Sequence, residues 1–165
     1  MTQVYYDQIP SPIGPLFLVA DAEGLREVRF ELDRRPHTPL DGWEHAPHKL
    51  AEVRRQLDEY FAGERLTFDL SLKPQGTAFQ QSVWQALTTI AYAKTTSYGQ
   101  ISRQIQRPKA SRAVGAANGR NPIPIIIPCH RVIGSNGTLT GFGGGLAAKQ
   151  WLLEHEERSQ GFSLA

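Results

Sequence analysis

The chain has 165 residues, 40% of them hydrophobic, with a formal net charge of +2 and a single cysteine. That size and composition suit one compact unit or two small lobes with a real core, so disorder is not expected. One cysteine excludes an internal disulfide and a cysteine-based zinc site; with no leader pattern in MTQVYYDQIP and no apolar run near the roughly 20 residues of a membrane span, a soluble cytoplasmic protein is expected.

The first third alternates short apolar runs with turn signals: VYYDQI, then SPIGP, LFLVA, DAEG and LREVRF, which is the pattern of a small antiparallel meander. Residues 31–49 are polar and proline-rich and read as a loop. Their His37, His45 and His48 lack the companions of a metal site, so no metal is assigned. Leu50, Val53, Leu57, Tyr60 and Phe61 fall at helical spacing before the stop at Gly63. Residues 68–72 read as one more strand, and residues 73–76, KPQG, as a linker between a lobe at 1–75 and a lobe at 76–165.

Thr77 and Gln80 form a capping-box pattern ahead of Phe79, Val83, Trp84, Leu87 and Ile90; Ser97 and Gln100 repeat it ahead of Ile101 and Ile105. After a turn at Arg107 and Pro108, with Pro108 suited to a first helical position, KASRAVGAAN reads as a further helix ended by Asn118 and Gly119. Two short helices joined by a tight turn have the outline of a helix-turn-helix. The second is built mostly of small residues, which lets its backbone come close to whatever it faces. A last helix, LAAKQWLLEHEE, should turn Leu146, Leu152 and Leu153 inward. The fold class is therefore α+β: a small N-terminal antiparallel sheet plus helix, joined to a mostly helical C-terminal lobe with a helix-turn-helix.

Charge divides unevenly along this plan. Residues 1–75 carry nine Lys and Arg against thirteen Asp and Glu. Residues 76–153 carry eight basic residues (Lys94, Arg103, Arg107, Lys109, Arg112, Arg120, Arg131 and Lys149) and no carboxylate. A phosphate backbone favours such a surface, because every carboxylate would repel it and every cation can release condensed counterions.

The cysteine sits in PIPIIIPCHRVIG, residues 122–134, which reads as a buried strand cornering at Pro128 and Cys129. A thiol becomes a nucleophile when a base takes its proton, and a carboxylate can hold that base in the right tautomer. Cys129, His130 and a glutamate of the last helix supply three such parts. Neighbours on a strand face opposite ways, so a bend or a bridging water would have to join Cys129 to His130. From the residues alone three readings stand: a DNA-modifying nucleophile, a thiol hydrolase, and a DNA-binding regulator whose cysteine is core filler.

The motifs carry a resemblance. IPCHRVIG, with YGQISRQIQRPKASRAVGAANGRNP upstream and GFGGGLAAKQWLLEHE downstream, closely resembles the O6-alkylguanine-DNA alkyltransferases, and SPIGPL and LDEYFAGE resemble that family's N-terminal lobe. The resemblance implies direct reversal of DNA damage: an alkyl group on guanine O6, and on thymine O4, passes irreversibly to Cys129, once per molecule and with no cofactor. It implies that Cys129 is activated through a water by His130, oriented by Glu156, with Tyr98 assisting the leaving base and Asn121 bracing the turn. Arg112 would fill the gap left by a flipped nucleotide. Ala110, Ala113 and Ala117 would form the bare face entering the minor groove, with Ser97 and Lys109 beside it; Tyr98, Phe142 and Gly143 would line the base pocket, Gly143 leaving room for larger alkyl groups. The implied partner is double-stranded DNA bearing O6-alkylguanine, met by a monomer able to cluster on the duplex.

Overall fold

A computed structural model of the chain describes residues 2–134, 137, 142 and 144–163, with side chains through residue 160. Three strands form the expected meander: β1 (Tyr5–Ile9), β2 (Leu16–Asp21) and β3 (Gly24–Arg29), paired antiparallel. The loop at 31–49 also contributes. Its two-residue strand β4 (Glu44–His45) runs parallel to β1, giving the order β3-β2-β1-β4, and a single 3-10 turn (Pro47–Lys49) follows.

The central strand β2 is apolar from Leu16 to Ala20 because both its faces are covered. Leu16, Leu18 and Ala20 join the main core, while Phe17 and Val19 pack with Val4, Tyr6 and Trp43 on the other side. Residues 68–72 do not form the expected strand; only Leu72 bridges Leu25. The edge of β3 is instead finished from two places: the Leu25 N–H donates to the Ser71 carbonyl, and the Val28 N–H donates at 2.9 Å to the Pro122 carbonyl from the second half of the chain. Edge groups satisfied in this way tie the sheet to the loop that carries the cysteine.

Helix α1 (Ala51–Phe61) buries Val53, Leu57 and Tyr60 and ends at Gly63, whose φ of 78° suits glycine. Helices α2 (Ala78–Leu87) and α3 (Tyr98–Gln104) both begin with the capping boxes read from the sequence, Thr77 with Gln80 and Ser97 with Gln100. Helix α4 (Ser111–Gly119) starts three residues after Pro108, not at it, since Pro108 and Lys109 lie in the turn. Ser102, fully buried, organises that turn: its hydroxyl donates to the Arg107 carbonyl and accepts from the Ala110 N–H, while Gln106 takes a left-handed φ of 62°.

The cysteine segment is no strand. Pro122, Pro124 and Pro128 have no N–H to give a ladder, so residues 122–128 fold as successive turns and bury Ile123, Ile125, Ile126 and Ile127 as anchors. Cys129 opens a 3-10 turn (Cys129–Arg131), after which β6 (Val132–Ile133) pairs parallel with β5 (Thr96–Ser97). Helix α5 (Leu146–Ser163) closes the chain; Leu152 is fully buried, but Leu153 is only half-buried and Leu146 is 50% exposed, against expectation. One hydrophobic core runs from Ile9 and Leu16 in the sheet to Ile101, Val114 and Leu152. No helix among the described residues is long and apolar enough to cross a membrane.

Candidate active site

The loop that delivers Cys129 is clamped by one side chain. Asn121 Nδ2 donates to the Ile127 carbonyl at 2.8 Å, and Asn121 Oδ1 accepts from the Ile123 N–H at 3.0 Å. Inside this clamp Ile125 sits at φ 75°, an unusual place for a β-branched residue and a mark of a conformation imposed by its surroundings. Cys129 is 4% exposed and lines a cavity of about 320 Å³. Asn118, Asn121, Pro124 and Phe142 line it from the C-terminal half, and Phe30, Leu32, Asp33, Arg34 and Arg35 from the N-terminal half. The N-terminal wall is held in place by Arg35, which pairs with Glu27 and Asp33 and donates to the Val28 carbonyl.

His130 and Glu156 are both fully buried, and His130 Nε2 lies 2.7 Å from Glu156 Oε2. A carboxylate only accepts, so Nε2 carries the proton and Nδ1 presents its lone pair. Nδ1 has no hydrogen-bond partner among the described residues. Burial holds the His130 pKa below its ordinary value, against the pull of Glu156, so the ring is neutral and able to accept a proton.

Glu156 also accepts from Arg131 Nε at 2.8 Å, Arg131 Nη2 at 3.0 Å, the Tyr60 hydroxyl at 2.6 Å and the Ala93 N–H at 3.2 Å. Burial alone would raise its pKa. His130 and Arg131 outweigh that cost and hold it far below the carboxylate range.

Burial pushes the Cys129 pKa up to about 11, while the Asn121 amide and the Lys149 ammonium pull it down. The resting group is a thiol, not a thiolate with a depressed pKa, because desolvation of a buried anion exceeds what those two neighbours return. Lys149 is fully buried and donates to the Val132 carbonyl at 2.7 Å.

The residues expected on the DNA face divide. Arg112 is exposed near the start of α4, Lys109 is exposed in the preceding turn, Ala113 is exposed and Ala110 half-buried. Ala117 is not on that face: it is 4% exposed, faces the core, and its carbonyl accepts from Trp84 Nε1 at 2.8 Å. Ser97 is half-buried and its hydroxyl is occupied as the cap of α3, accepting from the Gln100 N–H. Of the eight cations of residues 76–153, Arg131 and Lys149 are buried at the site, while Lys94, Arg103, Arg107, Lys109, Arg112 and Arg120 are exposed.

Tyr98, half-buried at the start of α3, stands against α4 at Gly115, where an added Cβ would meet its ring at 3.8 Å. Phe142 lines the cavity and packs on Phe30 with ring centroids 5.2 Å apart. Gly143 lies outside the described residues. Arg131, Tyr60, Lys149 and Asn118 escaped the sequence reading. Arg131 stood in view beside His130 but was counted as surface charge, and nothing local could link Tyr60 to Glu156 across 96 positions.

Comparison with known proteins identifies the family. Residues 4–74 match the family model of the 6-O-methylguanine DNA methyltransferase ribonuclease-like domain, and residues 78–158 match that of the same family's DNA-binding domain. A methylated-DNA–protein-cysteine methyltransferase of Methanosarcina acetivorans is 52% identical over 153 residues, covering 93% of this chain and 98% of the relative. One from Haemophilus influenzae is 47% identical, covering 95% and 88%. The crystal structure of Mycobacterium tuberculosis OGT in complex with DNA superposes with a TM-score of 0.88 at 49% identity, covering 94% of each chain. These relatives favour repair over the regulator and the hydrolase. With both halves matched and identities near half over almost its whole length, the chain belongs to the methylated-DNA–protein-cysteine methyltransferase family.

Proposed function

We propose that this protein repairs DNA by direct reversal, moving the alkyl group of O6-alkylguanine, and of O4-alkylthymine, onto Cys129. The observation that carries the reading is a buried cysteine opening into a cavity, beside a neutral histidine whose far nitrogen is held by a carboxylate. Cys129 loses its proton through a bridging water to His130 Nδ1; Glu156 stabilises the imidazolium. The sulfur then attacks the alkyl carbon in line, the S–C bond forms as the C–O6 bond breaks, and the electron pair leaves with the base. Tyr98 supplies a proton or hydrogen bond to that base as its charge develops. The product is a thioether, which water does not cleave, so each molecule acts once.

The high resting pKa suits this order of events. A thiol kept protonated until a lesion fills the cavity is spared side reactions. Arg112 enters the stack as the damaged nucleotide turns out, and α4 docks in the minor groove through Ala110 and Ala113, with Lys109 on the phosphates. The protein acts as a monomer that can cluster on the duplex, in the cytoplasm, whose reducing conditions keep a lone thiol usable.

Intact-protein mass spectrometry after mixing with a duplex holding one O6-methylguanine tests this. One methylene's mass, mapped to Cys129 and never exceeding one per protein, is expected; no gain on reduced, folded protein overturns the reading.

A further inference from the structure

Glu156 is held from both halves of the chain. Tyr60, fully buried on α1, donates its hydroxyl to Glu156 Oε2, the oxygen that also accepts from His130 Nε2 and Arg131 Nη2. The ring is fixed independently: edge-on to Phe61 and Tyr92, tilted against Phe68, with His155 packed on it and donating Nε2–H to the Tyr60 carbonyl at 2.6 Å. Phenylalanine would fill the same space; the hydroxyl adds the bond to Glu156.

We propose that Tyr60 is a positioning residue for alkyl transfer: its hydroxyl fixes Glu156 Oε2 and draws off part of the charge that His130 feels, so the N-terminal half tunes the base beside Cys129. The inference rests on the reading of His130 as proton acceptor. A carboxylate raises the pKa of an imidazole it faces, and each further donor on the same oxygen spreads the charge and weakens that effect. The other titratable and charged groups around the pair are Arg131, Lys149 of α5, Cys129, Tyr92 under the Arg131 guanidinium, and His155 behind Tyr60. A Tyr60→Phe substitution leaves all of these in place.

The sign follows. Without the hydroxyl, Oε2 keeps more charge, the imidazolium is favoured, and His130 becomes protonated and inactive at higher pH. Single-turnover transfer from an O6-methylguanine duplex should therefore show, in Tyr60→Phe, an acid limb moved up by about half a unit and a rate on that limb reduced about threefold, with DNA affinity within about twofold. Phe61→Leu, which loosens the packing around the ring but keeps the hydroxyl, should lower the urea midpoint and leave the limb in place. A 3-fluorotyrosine placed at position 60, a stronger donor that preserves the fold, should move the limb down. If the limb stays where it is in both Tyr60 variants while His130→Gln abolishes it, the inference fails alone. If His130→Gln keeps the wild-type profile, the assignment of the base fails, and the inference with it.

Discussion

Arg131 grips Glu156 in a two-pronged ion pair, Nε to Oε1 at 2.8 Å and Nη2 to Oε2 at 3.0 Å, with both side chains buried. Arg131 Nη1 also donates to the Ile90 carbonyl at 2.7 Å, so the fork cannot swing. Removing either partner strands the other as a buried, unpaired charge. Glu156→Gln or Arg131→Met alone should cost about 3–5 kcal/mol, and the double variant should lose less than the sum. Urea denaturation of the three proteins measures this; additive losses would show that the two groups are not coupled.

Acid should destabilise the fold in two stages. The His130 pKa is depressed by burial below 6.5, so the unfolded chain takes up a proton before the folded one does. Stability is full above about pH 6.5 and falls with pH until the folded ring itself titrates. Glu156, held low mainly by His130 and Arg131 against its burial, adds a second fall as pH drops below 4.5. His130→Gln should flatten the first stage and leave the second, read as the urea midpoint between pH 8 and pH 4.

Free protein should be slow to react with small alkylating reagents. A thiol at a pKa of about 11 has roughly 300-fold less thiolate at pH 7.5 than one near 8.5, before access is considered. Iodoacetamide labelling of Cys129 should rise about tenfold per pH unit up to that pKa. A rate at pH 7.5 equal to that of an unstructured cysteine peptide would contradict the burial argument.

Ala93 donates its N–H to Glu156 Oε1 from a left-handed conformation at φ 62°. Glycine adopts that region without strain. Ala93→Gly should stabilise the protein by about 0.5–1 kcal/mol, the relief of strain exceeding the added chain entropy, with transfer rates unchanged. A lower urea midpoint would mean that the alanine methyl makes a packing contribution larger than its strain.

Arg112 is exposed and away from the Cys129 cavity lining, so Arg112→Ala should leave iodoacetamide labelling unchanged while slowing transfer from duplex by at least about tenfold. Transfer from the free alkylguanine base should fall much less. Equal losses on duplex and free base would remove Arg112 from any role in extruding the nucleotide.

Much of this protein was legible before its structure. The capping boxes at Thr77 and Ser97, the amphipathic α1 and the meander follow from local rules, because each depends on side chains within a few positions of the backbone they satisfy. The CHR stretch and its flanking motifs carried the chemistry and the family. The errors arose where local pattern competes with tertiary context. IIIP reads as a strand by hydrophobicity, yet three prolines and the Asn121 clamp make it a set of turns. Ala117 reads as one more bare alanine, yet the carbonyl it presents to Trp84 and its burial put it in the core.

Residue types and their order brought a thiol, an imidazole and a carboxylate into view as candidate partners, and pointed to a polyanion for the carboxylate-free stretch 76–153. Only the tertiary structure decided their electrostatic state. Desolvation, which depends on everything packed around a group and on nothing in its immediate sequence, keeps Cys129 protonated and His130 neutral. The ionised Glu156 is kept by donors from Tyr60, Ala93, His130 and Arg131, which meet only when the folded core brings both halves of the chain together.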